Sequence, residues 1–177
     1  MEAVSKTSRL TLAAMFLALG LLLPFLTGQI PQVGKMLLPM HLPVFLCGLL
    51  CGWRYGAFAG FLLPLLRSVL FSAPVFFPAG TAMAFELMTY GLVAGLLYGR
   101  SSQTLAALYR ALLLAMAAGR GVWGLVQTIQ LGLFGDGFSL DLFLAGAFFQ
   151  AVPGILLQLV LIPGILLALQ QGRAFRK

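Results

Sequence analysis

Apolar residues fall into six blocks along the chain, separated by short stretches rich in Gly, Pro and polar side chains. An α-helix needs about 20 residues to cross a bilayer, and at that window the blocks predict six spans. The first is Leu10 to Leu26; the second, Pro39 to Cys51, is short and opens with Met40-His41-Leu42-Pro43. The third runs from Tyr55 to Phe71, with Pro64 and Arg67 towards its end. The fourth, Thr81 to Tyr98, carries Glu86 and Tyr90 at i and i+4, and the fifth is Leu105 to Leu131. The sixth, Leu140 to Leu169, holds Gln150, Pro153 and Gln158. Of the connectors, TGQIPQVGKMLLP is too polar for lipid, and SAPVFFPAG sets Phe76 and Phe77 between two prolines, which suits an interface or a lid. GLFGDGFS leads into the sixth span, and the tail from Gln170 to Lys177 is polar and basic. The pattern predicts an all-α, six-helix transmembrane bundle, a single integral membrane domain over 1–177.

Composition strengthens this picture. The chain is 61% hydrophobic and 8% charged, with a mean hydropathy of +1.04, whereas a soluble domain has about a quarter charged residues. The net charge of +7 does not point to nucleic acid, because the basic residues stand singly between apolar spans and read as topology signals. With the N-terminus inside, the cytoplasmic segments hold Lys6, Arg9, Arg54, Arg100, Arg110, Arg173, Arg176 and Lys177, and the outer ones Lys35, Asp136 and Asp141. Both termini are therefore expected in the cytoplasm. Lys6 and Arg9 before an apolar run resemble a signal peptide, but the run ends at Pro24 without a small-x-small cleavage site, so it is expected to stay as the first span.

This topology sorts the polar residues by depth. His41 opens the descending second span, Arg67 closes the ascending third, and Glu86 lies in the outer half of the fourth. In the fifth, AMAAGRGVWGLVQTIQL places Arg120, Trp123 and Gln127 three and four residues apart, on one helix face. An arginine inside such a span costs roughly 2.5–3.5 kcal/mol on insertion scales unless something solvates it. Gln150 belongs to the outer half of the sixth. These residues converge on the outer side and predict a ligand pocket in the outer half, sealed towards the inside.

Each candidate also has a plainer reading. Glu86 with Arg67 or Arg120 can be a buried pair that holds helices together. Alternatively, two arginines against one glutamate leave a positive excess that can bind an anion bidentately. His41, between Pro39 and Pro43, can be a helix-end residue; Trp123 can be packing or a pocket floor; Gln127 and Gln150 can donate and accept to a hydroxyl- or amide-bearing solute. Cys47 and Cys51 share a face without a His or Cys pair to complete a metal site, and read as packing residues. No Gly-rich Lys loop for ATP, H-E-x-x-H or triad composition is present, so no enzyme activity and no cofactor are expected.

Ala14-Met-Phe-Leu-Ala18 in the first span is a small-x-x-x-small pair that permits close helix approach, internally or with another subunit. With six spans in under 200 residues, both ends expected inside and a basic net charge, the chain resembles a substrate-binding S component of an energy-coupling factor (ECF) vitamin transporter. GQIPQVGKMLLPMHLPVFLCG and AFELMTYG are similar to the branch assigned to pantothenate. The resemblance implies capture of a B vitamin from outside a bacterial plasma membrane, a coupling subunit contacted through Ala14 and Ala18, and two ATPase subunits. It implies further that the connector Thr27 to Leu38 acts as a gate and that the subunit topples to release its vitamin. Pantothenate suits the pocket chemistry, with a carboxylate for Arg120 or Arg67 and hydroxyls and an amide for the glutamines and Glu86. Nicotinate, pyridoxine, riboflavin or a cobalamin precursor are the alternatives. An autonomous secondary carrier or a structural membrane subunit is the alternative of a different class, although no internal repeat supports a carrier.

Overall fold

The computed structural model describes residues 5–26, 37–134 and 152–174, with the side chains of 132–134 and 170–174 left aside. The described residues form α1 (Lys6–Leu26), α2 (His41–Cys51), α3 (Trp53–Phe71), α4 (Thr81–Gly99), α5 (Leu105–Phe134) and α6 (Val152–Ala174). A turn at Phe76–Gly80, broken by an extended Phe77 (φ −125°, ψ 137°), leads into α4. Five of the helices are long and apolar enough to cross a membrane by length and composition. The exception is α2, whose 11 residues cover only about 16 Å of a hydrocarbon core about 30 Å thick. The short second block of the sequence is thus a short helix, and it starts at His41 rather than Pro39.

The hub is α4, which packs against α2, α3 and α5 and is half buried along its span. Small residues explain the close fit. Along Gly48, Gly56 and Gly91 the helices meet backbone to backbone: a Cβ on Gly91 would collide with the Gly56 carbonyl, and one on Gly56 would stand 2.5 Å from the Gly48 Cα. Gly60 meets the Leu87 carbonyl in the same way. Only a residue without a side chain permits such an approach. A single residue, Gly52, joins α2 to α3 at φ 103°, a conformation that L side chains rarely adopt.

The flanking helices are held more loosely. α1 turns Ala13, Phe16, Gly20 and Pro24 inward against α2 and α3, while Ala14 and Ala18 are exposed on its outward side. Gln158, Ile162 and Leu166 form the buried stripe of α6, a four-residue repeat suited to one helix face. That helix leans lightly on α2 and α5. Most of the expected gate, the turn Gly132 to Ser139 beyond Phe134, and the start of the sixth span lie outside the described residues.

Candidate functional site

Among the described residues, the acidic and basic side chains of Glu86, His41, Arg67 and Arg120 are buried, at 1%, 2%, 3% and 6% exposure. Three of them meet. Glu86 and Tyr90, one turn apart on α4, point the same way, and the Tyr90 hydroxyl donates to Glu86 Oε1 at 2.7 Å. Arg120 of α5 brings Nη1 to 2.9 Å from the same oxygen. His41, at the first turn of α2, has Nε2 3.7 Å away from it, within ion-pair reach but too long for a hydrogen bond. One carboxylate oxygen therefore collects side chains from three helices.

Packing sets this geometry. The Tyr90 ring lies stacked on Phe45 at 5.0 Å and tilted against His41 at 5.3 Å. Its other neighbour is Gly119, where a Cβ would strike the ring. The absence of a side chain at 119 lets Tyr90 lie against α5, and Arg120, the next residue, reaches Glu86. His41 is fixed through its backbone N–H, which donates to the Leu38 carbonyl at 3.0 Å. Gln158 of α6 closes on the same segment, its Nε2 3.4 Å from that carbonyl.

The cluster is neutral as a pair but not complete. Arg120 Nε and Nη2, both ring nitrogens of His41, and Oε1 of Gln127 and Gln130 are buried without a hydrogen-bond partner. Gln130 does use its amide, which donates to Thr81 Oγ1 at 2.8 Å and ties α5 to the start of α4. On a guanidinium, Nε–H and the adjacent Nη2–H point the same way and form one edge of the planar fork. That edge has the spacing of a carboxylate. Glu86 occupies the other side of Arg120, and this edge is unmatched. Seven residues further along α5, or about 10 Å, Gln127 supplies an unmatched acceptor.

Arg67 is elsewhere. Its Nε donates to the Ala73 carbonyl at 3.1 Å and its Nη1 to the Leu21 carbonyl at 2.8 Å. Its guanidinium also faces the rings of Phe25 and Phe71, at 5.5 and 5.4 Å. This arginine fastens the end of α1 to the end of α3 and the segment beyond it. Of the residues singled out in the sequence, His41, Glu86 and Arg120 are brought together, and Trp123 and Gln127 are half-buried further along α5. Gln150 lies outside the described residues. Tyr90 and Gly119 complete the cluster without having been singled out as site residues; the Glu86-x-x-x-Tyr90 spacing was the available signal.

A groove of about 320 Å³ runs along Thr7, Ser8, Thr11, Leu12 and Met15 of α1 and shares no residue with the cluster. It offers hydroxyls and apolar surface but no charge. Compared with known proteins, the chain matches the family described as "ECF transporter, substrate-specific component" over residues 8–169. No curated protein and no solved structure matches it.

Proposed function

The chain belongs to the family of substrate-specific components of ECF transporters, and on that premise we propose that it captures a B vitamin bearing a carboxylate, pantothenate first among them. Membership makes it a substrate-specific membrane subunit, a binding subunit rather than an enzyme, that works with ECF membrane and ATPase subunits. The observation that carries the choice of ligand is the unmatched Nε/Nη2 edge of Arg120. Buried donors without partners destabilise by about 1–3 kcal/mol each, more when charged, and a bidentate carboxylate removes that deficit. Gln127 Oε1 suits a hydroxyl or amide N–H of the same solute. Both nitrogens of the edge are shut off from solvent, so the ligand enters as surrounding side chains make room.

Capture takes place from the outside in this reading, with both termini in the cytoplasm of a bacterium. It is supported by the exposed Lys6, Arg9, Arg54, Arg100 and Arg110 near helix ends that an up-and-down chain carries to one side. Ala14 and Ala18 serve the coupling subunit. Their support is the outward exposure of both residues, which leaves them unused by internal packing.

The test is thermal stabilisation of the purified protein by a panel of B vitamins. Ligand at about 100 times its Kd stabilises by about 2.7 kcal/mol, which is readily seen as a shift in Tm. Pantothenate should give that shift. A shift produced only by uncharged vitamins, with none from pantothenate or nicotinate, would refute the carboxylate reading.

A further inference from the structure

We infer that the ligand carboxylate enters together with one proton, which His41 takes up from the medium, so that the buried cluster stays neutral. This rests on the capture reading above and deepens it. Before binding, Arg120 and Glu86 cancel, and His41 has no acceptor within hydrogen-bond distance on either nitrogen. A protonated imidazole there would face the Arg120 charge with two unmet donors, so the free protein holds His41 neutral. A carboxylate seated on the open edge of Arg120 changes the count by one negative charge, and an unbalanced charge in such an interior is strongly disfavoured. His41 can restore the balance. Its Nε2 is already 3.7 Å from Glu86 Oε1, and a shift of about 1 Å turns that approach into a charged hydrogen bond.

The surroundings leave few other proton acceptors. Glu86 and Tyr90 face His41 from α4 and Arg120 accompanies them from α5. α6 contributes the uncharged Gln158. From α1 and α3, Lys6, Arg9 and Arg54 are exposed, Tyr55 lies beside the Gly52 joint at the far end of α2, and Arg67 is engaged by two carbonyls. Cys47 and Cys51 are further along α2 itself, among the core residues. Among the described residues, Glu86 is the only rival for the proton. The consequence for specificity is that the site selects monoanions, with Arg120 holding the carboxylate and His41 setting the charge it tolerates.

Calorimetric titration of the whole chain with pantothenate, in two buffers of different ionisation enthalpy, counts the protons taken up. At pH values where free His41 is neutral, close to one proton per ligand is expected, and affinity should fall about tenfold per pH unit as pH rises. His41→Gln should abolish both the uptake and the slope. Glu86→Gln should also bind pantothenate without uptake, since Arg120 alone then balances the carboxylate. The primary-alcohol analogue, with –CH2OH in place of the carboxylate, should bind weakly and take up no proton. Pantothenate binding without proton uptake at any pH would overturn the inference and leave the capture reading standing. Uptake that persists in His41→Gln would assign the proton to Glu86 and overturn it equally. If neither pantothenate nor nicotinate bound the folded protein, the capture reading itself would fall, and the inference with it.

Discussion

Arg67 and Arg120 are buried to nearly the same degree, each in an apolar helix, yet their partners are of opposite kinds. Arg67 is engaged on several sides: it donates to two backbone carbonyls and its guanidinium faces two aromatic rings. Arg120 makes one contact to Glu86 and keeps an edge of two nitrogens unmatched. Burial of a charge therefore does not distinguish a strut from a binding site. In the proposed reading, incomplete hydrogen bonding does.

The comparison breaks most visibly if Arg120→Ala spares ligand binding. Pantothenate affinity should drop about 100-fold or more, as for truncation of a buried hydrogen-bonded charge. The same change leaves Glu86 without its cation, so a stability loss of about 3 kcal/mol is expected with it, and affinity must be measured on protein shown to be folded. Arg67→Ala should do the reverse: denaturation should reveal about 2–3 kcal/mol of lost stability, with affinity within about threefold of the original. A large affinity loss there would mean that the two regions are one. Next in size, Gly119→Ala puts a methyl group into the Tyr90 ring, and overpacking of that kind costs about 1–3 kcal/mol. It should lower both Tm and pantothenate affinity, and a change in Tm alone would separate Gly119 from the site. Smallest is Tyr90→Phe, which removes one of the donors to Glu86 at a cost of about 1–2 kcal/mol; a denaturation curve would register it.

Sequence periodicity revealed the helices well, because a membrane span is defined by composition over a length. It also brought His41, Glu86 and Arg120 to the same depth. Nothing in it separated Arg67 from Arg120, since the partners of Arg67 are carbonyls of Leu21 and Ala73, and a backbone acceptor has no sequence signature. The glycine seam was more accessible. Gly48, Gly52, Gly56 and Gly60 recur every four residues, as do Gly91 and Gly95, and that repeat is the mark of close helix contact. Ala14 and Ala18 carry the same spacing on a face that the structure leaves exposed, so spacing alone does not tell an internal seam from an external one. The seat of Tyr90 on Gly119 depends on two helices distant in sequence and was invisible to local pattern.

The seam of Gly48, Gly56 and Gly91 has an entropic consequence. Backbone pressed on backbone has no rotamers to freeze, so the three helices behind the cluster have little conformational freedom left to surrender when a solute arrives. In the proposed capture, the ordering penalty then falls on the side chains around Arg120 and on the lightly held α1 and α6. In calorimetric terms, enlarging a seam glycine would worsen folding, whereas stiffening α6 against α2 would make the entropy of binding less unfavourable without adding a single contact to the ligand.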